Sequence, residues 1–220
     1  MHFEVPKAGL KTVKEFLGEY SMIVVSILTA LALEHAAQSW HHRHRASDAE
    51  QQIEAELRIN LEELHRVTEA NSKQLEHITK LRKALRDDIK AKVADKDVGE
   101  HLLTATNRSF GLNLKTPTLR REAWEVAVAS QSASWMSPAL LQRYSALYAQ
   151  QRDTLDSANT NTQLTLSGPA MMNTLSDLEL GKVDPAALYH TLRQMESTID
   201  GVQGNLLALE KQMREALART

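Results

Sequence analysis

The chain has 220 residues, and its 26 Lys and Arg against 28 Asp and Glu give a formal net charge of −2 at pH 7. This balance provides no basic field that would recruit nucleic acid, and the absence of cysteine excludes disulfides, thiolate metal sites and cysteine nucleophiles. With only 8 Gly, 5 Pro and 5% aromatic residues, the composition predicts an all-α fold. We expect an N-terminal transmembrane helix followed by long antiparallel helices that form a helical bundle or coiled coil.

Residues 1–19 are predicted to form an amphipathic segment. Apolar residues such as Val13, Phe16 and Leu17 lie on one side of it, and lysines lie around the other. Such a segment can rest in a membrane interface and turn into the next helix near Gly18, or it can continue into that helix without a break.

Residues 20–40 predict a transmembrane helix. Tyr20 and Trp40 bracket about 30 Å of helix, which matches the hydrocarbon core of a bilayer and places aromatic rings at its two interfaces. The uncharged run from Tyr20 to Leu33 covers only about 21 Å of helix, so a buried helix of a soluble protein and a cleaved signal peptide are alternatives. Glu34 speaks against the signal peptide, because it falls among the small residues where cleavage would occur.

Small and polar residues repeat every four positions along this helix. Small residues let two helices approach closely in lipid, and an acid at this depth faces protein or water or is protonated. We therefore expect this face to bind another transmembrane helix. It consists of Ser26, Ala30, Glu34 and Gln38.

A basic cluster follows the predicted span. It favours a collar that contacts lipid headgroups, and coordination of a divalent metal by its histidines is the alternative. Lysines ahead of the span outnumber the arginines just behind it, which favours an inner N-terminus. We expect a single-pass protein of a bacterial inner membrane whose bulk is periplasmic. The collar residues are His41, His42, Arg43, His44 and Arg45.

Residues 41–93 are predicted to contain this collar and one long helix. Apolar residues from Ile53 to Leu85 recur at spacings of three, four and seven, which is typical of one buried helix face. Asn60 and Asn71 fall on the same face, where buried amides can fix helix register or oligomeric state, and a solvated edge is the alternative.

Residues 94–117 lose this period and predict a connector that contains a short helix near His101. Residues 118–220 predict a helical bundle domain. Its helices are expected to begin at three motifs that combine a hydroxyl or acidic residue with proline. These motifs are Thr116-Pro117-Thr118, Ser137-Pro138 and Asp184-Pro185.

The last predicted helix carries apolar residues at alternating spacings of four and three. This is the pattern of a coiled-coil seam, which packs against another helix within the subunit or across an oligomer. The seam consists of Leu188, Leu192, Met195, Ile199, Val202, Leu206, Leu209 and Met213.

Two groups of motifs resemble a known kind of protein. The first is EYSMIV at 19–24 with LTALALE at 28–34, and the second is REAWE at 121–125 with a Ser-rich turn and Tyr144-x-x-x-Tyr148. Together they resemble uncharacterised bacterial families of small single-pass membrane proteins, which are domains of unknown function. The resemblance implies a topology and implies no activity.

Other candidate sites have simpler structural interpretations. Glu62-x-x-His65 matches half of a di-iron helix motif, which needs a second such pair. Four aromatic residues could line a ligand pocket, although helical spacing favours a core, and three serines read as turn residues because no His and Asp accompany them. These residues are Trp124, Trp135, Tyr144 and Tyr148, and Ser130, Ser132 and Ser134.

We therefore expect a membrane-anchored, non-catalytic structural or assembly protein that needs no cofactor and binds no nucleic acid. Through its transmembrane helix and its bundle it would form a homo-oligomer or join a larger membrane complex. A ligand-sensing helical-bundle ectodomain that acts through a partner is the alternative.

Overall fold

The computed structural model describes residues 13–107, 114–166 and 168–218. Over these residues the chain forms six α-helices and one short 3-10 helix, and no strand, which confirms the all-α prediction. In chain order the elements are α1 (Val13–Ala91), α2 (Asp95–Ala105), α3 (Glu122–Ala129), the 3-10 helix η1 (Ser132–Trp135), α4 (Pro138–Leu166), α5 (Pro169–Glu179) and α6 (Pro185–Ala218).

Helix α1 is unbroken for 79 residues, which corresponds to a rod of about 120 Å. No glycine or proline occurs between Gly18 and Gly99, and ion pairs at the (i, i+4) spacing, such as Glu54 with Arg58, support its exposed faces. The predicted segments 20–40 and 41–93 are therefore parts of one helix. Of the predicted amphipathic segment, residues 1–12 lie outside the described residues and the remainder is the first part of α1.

The two halves of α1 have different surroundings. Residues 16–45, here called the N-terminal half, contain no buried side chain, and burial begins at Ala46. Residues 46–91, the bundle half, place Ile53, Leu57 and Leu85 in fully buried positions. The rest of the described chain folds onto the bundle half, apart from Trp135, which reaches His42 at the end of the N-terminal half.

Helix α6 lies antiparallel to the bundle half of α1. Going along α6, Glu196 meets Arg82, Gln203 donates a hydrogen bond to the carbonyl of Thr68, and Glu210 lies 3.4 Å from His65. The predicted seam of α6 is buried inside this chain, against α1 and α4. All of its members lie within the apolar core: Leu188, Leu192, Met195, Ile199, Val202, Leu206, Leu209 and Met213.

Helix α4 runs in the same direction as α1. Tyr148 hydrogen-bonds Glu56 and Gln151 approaches Asn60, so the start of α4 lies nearest the N-terminal half of α1. Ser137 accepts a hydrogen bond from the backbone N–H of Leu140, as its predicted capping role requires.

The short helix expected near His101 is present as α2, and the helix after it begins later than predicted. Within 94–117 the chain forms α2, which places Val98 and Leu102 against the far end of the bundle, while residues 108–113 lie outside the described residues. Residues 114–121, here called the strap, form no regular secondary structure, so the next helix begins at Glu122 and not at the predicted Thr116-Pro117-Thr118.

Two asparagines of α1 hold the strap. Asn60 accepts a hydrogen bond from the backbone N–H of Arg120 at 2.8 Å and donates one to its carbonyl at 2.7 Å. Asn71 makes the same two bonds with Lys115, at 2.9 and 2.8 Å. Both asparagines are fully buried, so they do not form the solvated edge that was the alternative, and the backbone they bind belongs to their own chain.

The spacing of these asparagines explains why the strap is extended. Eleven residues of α-helix and five residues of extended chain both cover about 16 Å. Asn60 and Asn71 therefore match Arg120 and Lys115 only when the intervening backbone is stretched along α1. The backbone of Thr118, between these points, hydrogen-bonds Glu63.

We predict that Asn60→Ala releases the strap without unfolding the bundle. The backbone N–H of Arg120 would lose its acceptor, while its carbonyl would keep the hydrogen bond from Gln151 at 2.9 Å. A net loss of about 1.4 kcal/mol corresponds to about tenfold faster amide exchange. Hydrogen–deuterium exchange of peptides covering residues 114–121 measures this directly. Arg58→Ala is the matched control, because Arg58 is exposed on the same stretch of α1 and pairs with Glu54. Unchanged exchange in Asn60→Ala would contradict the role given to Asn60.

Candidate functional site

The N-terminal half of α1 is the most unusual surface of the described chain. In the described residues α1 is the one helix long and apolar enough to cross a membrane, and none of its most apolar 18-residue window is buried. The N-terminal half is therefore not a buried core helix of this chain, which was one alternative to a transmembrane helix. Its exposed large apolar residues include Phe16, Leu17, Tyr20, Met22, Ile23, Val25, Ile27, Leu28, Leu31 and Leu33.

The predicted partner face lies on this half, and all four of its residues are exposed. Ser26 donates its hydroxyl hydrogen bond to the carbonyl of Met22 at 2.8 Å, and Gln38 donates to the carboxylate of Glu34 at 3.1 Å. Both hydrogen bonds are formed within α1, and they satisfy only part of the hydrogen-bonding capacity of these side chains. The face thus presents Ala30 together with a carboxylate and an amide to whatever surrounds the helix.

The predicted collar lies just beyond this face and divides into two sets. His41, Arg43, His44 and Arg45 are exposed, and His44 lies 3.7 Å from Asp48. His42 differs from the predicted outward collar, because it is half-buried.

The partner of His42 is the tryptophan of η1. The rings of His42 and Trp135 stack with their centroids 3.6 Å apart and their planes within 13°. Trp40, two residues before His42, is exposed and stacks on His44. Two tryptophans from distant parts of the sequence therefore lie at the same level of α1.

The other predicted aromatic site is part of the core. Trp124 stacks on Tyr148, and Tyr144 and Tyr148 are both buried, which leaves no pocket between them for a ligand. Among the four aromatic residues that the sequence analysis grouped together, Trp135 alone is exposed, with 51% of its surface accessible.

A buried carboxylate that the sequence analysis missed joins three elements. Glu56 of α1 accepts a hydrogen bond from the hydroxyl of Tyr148 at 2.6 Å and another from the backbone N–H of Ala123 at 2.9 Å. The second bond satisfies a free N–H in the first turn of α3. Glu56 therefore fixes α3 and α4 to α1, and its place four residues before Asn60 on the same face is the signal that could have identified it.

The remaining polar candidates have structural partners. His65 lies beside Glu210, and Ser130 and Ser132 bond each other at 3.0 Å in the turn after α3. No group of three or more metal-ligating side chains occurs within residues 13–107, 114–166 and 168–218.

Comparisons of the chain with protein-family models, with curated proteins and with solved structures gave no match. The interpretation of these surfaces therefore depends on their geometry and chemistry.

We predict that the buried tyrosines make the bundle less stable at alkaline pH. Burial, reinforced by its bond to Glu56, raises the pKa of Tyr148, and burial raises the pKa of Tyr144 to about 12. Above the unfolded pKa of about 10, the folded state binds more protons than the unfolded state, so the free energy of unfolding falls by up to about 1.4 kcal/mol per pH unit for each tyrosine.

The test follows thermal unfolding by circular dichroism over a pH series that crosses this unfolded pKa. Tyr148→Phe is expected to reduce the alkaline decline, because one of the two protons is then absent. An alkaline slope identical to that of the unaltered chain would contradict the assignment to Tyr148.

Proposed function

We propose that this chain is a membrane-anchored, non-catalytic structural or assembly protein. Its α1 helix would cross a bacterial inner membrane once and bind a second transmembrane helix, either of another copy or of a larger complex. The bundle would then stand in the periplasm. The resemblance to small single-pass membrane proteins is consistent with this topology.

The observation that carries the proposal is the unburied apolar half of α1. Soluble monomers rarely expose a contiguous apolar patch larger than a few hundred Å², whereas here apolar side chains project around a helix that carries no charge for about four turns, from Tyr20 to Leu33. A helix that is apolar on all sides needs a buried or lipid environment. The bundle provides no cover, so lipid is the environment that fits.

The composition of the helix at its ends agrees with this placement. Tyr20 and Trp40 are both exposed, and the charged collar begins immediately after Trp40. Aromatic rings at both ends and basic residues beyond them are typical of the two interfaces of a bilayer.

The partner face supports assembly. In lipid, the carboxyl group of Glu34 is costly unless it meets protein or water or is protonated, and its bond to Gln38 covers only part of that group. Ala30 and Ser26 on the same face allow close helix contact. A second helix with polar groups at the depth of Glu34 would bury Ser26, Ala30 and Glu34 in its contact with α1.

Anchoring is tested by extracting membranes that contain the full chain with alkaline carbonate. The proposal expects the protein to stay in the membrane pellet and to require detergent for release. Recovery in the carbonate supernatant would refute the anchor.

For assembly, we predict that Ala30→Leu and Glu34→Leu each break a complex that the unaltered chain forms. Leucine at position 30 separates the helix backbones, and leucine at position 34 removes the polar contact. The measurement is native mass in mild detergent after extraction.

The chain offers a matched control for this prediction. Ala32→Leu makes the same change two residues away, on the opposite side of the helix, and is expected to leave the mass unchanged. Equal masses for Ala30→Leu, Ala32→Leu and the unaltered chain would reject the partner face, even if carbonate extraction had established the anchor.

A further inference from the structure

The corner between α3 and α4 is an uncharged turn that points toward the N-terminal half of α1. Residues 130–138 contain no Asp, Glu, Lys or Arg. Within them Gln131 adopts the left-handed backbone conformation, with φ of 62°, which reverses the chain before η1. Trp135, at the end of η1, remains half exposed while one face of its ring covers His42.

Through its contact with His42, this corner lies close to the predicted span. His42 follows Trp40 by two residues, or about 3 Å along the helix axis. Farther from the span, Ala127 and Ser130 line one surface cleft together with Arg45 and Ala49 of α1. Helix α3 therefore runs along α1 toward the predicted span, and η1, which follows it, places Trp135 near the level of Trp40.

The surroundings of Trp135 suit a lipid headgroup layer. His41, Arg43 and Arg45 are exposed on α1 at the same level. The interfacial layer on each side of a bilayer is about 5–8 Å thick. This thickness exceeds the axial rise of about 3 Å between Trp40 and His42, so one layer can hold both Trp40 and the ring that stacks on His42. Tryptophan prefers this layer because its ring is apolar and its N–H can be hydrated.

We propose that the η1 corner is a second membrane contact of this protein, in which Trp135 inserts into the lipid–water interface at the level of Trp40, on the other side of α1. The inference depends on the proposed membrane anchor. With one contact from the span and another from the bundle, the bilayer would fix the tilt of α1 and the direction in which the partner face points. A bundle joined only through one helix has no such restraint.

The three tryptophans of the chain provide a built-in depth measurement. Trp124 stacks on Tyr148, which bonds Glu56, so it lies at a level sixteen residues, or about 24 Å, beyond Trp40. Variants that keep one tryptophan and carry phenylalanine at the other two positions report each depth separately.

The experiment reconstitutes the full-length single-tryptophan variants into vesicles of phosphatidylcholine and phosphatidylglycerol. Part of the phosphatidylcholine is brominated near the headgroup end of its acyl chains, which quenches tryptophan fluorescence at short range. Circular dichroism confirms that each variant keeps its helix content. We expect comparable quenching of Trp40 and Trp135 and none of Trp124.

The outcomes separate this inference from the anchor. Quenching of Trp40 without quenching of Trp135 overturns the second contact and leaves the anchor intact, and it would point to a protein partner on that corner. Absence of quenching for Trp40 as well overturns the anchor, and the second contact with it.

A second measurement covers the case in which a tryptophan substitution disturbs folding. Because the chain has no cysteine, Ser134→Cys in the η1 corner can carry a spin label while all tryptophans are retained. Ser157→Cys on α4 is the control far from the span. The label at 134 should be more accessible to oxygen than to a water-soluble nickel chelate in vesicles, and the label at 157 should not. Equal profiles at both positions would overturn the proposal.

Discussion

The backbone hydrogen bonds of α1 run without interruption from Val13 to Ala91, and this continuity is the constraint on which the other elements depend. Helices α2, α3 and α6 pack directly against α1, and η1 packs against it as far as His42. Because each residue of an uninterrupted helix advances the chain by about 1.5 Å, the position of a residue in α1 gives its level along the helix axis. The levels of Glu56, Asn60 and His42 therefore set the levels of α3, the strap and η1, and they relate the bundle to the apolar half.

Polar side chains, more than apolar ones, determine how the elements are placed along this rod. Apolar packing between helices tolerates small shifts, whereas a buried amide or carboxylate loses free energy unless its partner is at hydrogen-bond distance. Asn60 and Asn71 place the strap, and Glu56 places α3 and α4. These groups lie on one face of α1 because their spacings of four and eleven residues return to the same side of a helix.

The proposed function and the proposed second contact both concern how the bundle is held and oriented at the membrane. A single apolar helix can hold a protein in a bilayer, yet it leaves the rotation and tilt of the attached domain undetermined. The partner face around Glu34 and the corner at Trp135 would each remove part of that freedom, one inside the lipid and one at its surface. Both lie on, or directly against, the same rigid helix.

Local chemistry in the sequence determined much of the fold. The periods of α1 and α6, the apolar run, and the starts at Ser137-Pro138 and Asp184-Pro185 are visible there because helix periodicity and capping involve residues within a few positions of each other. The extended strap was predicted as a helix start, and Glu56 and the His42–Trp135 stack were missed. Asn60 and Arg120 lie sixty residues apart, and Trp135 lies farther still from His42, so only the tertiary register could decide these pairings. That register is set by long-range packing of α3, α4 and α6 on α1, which no local pattern encodes.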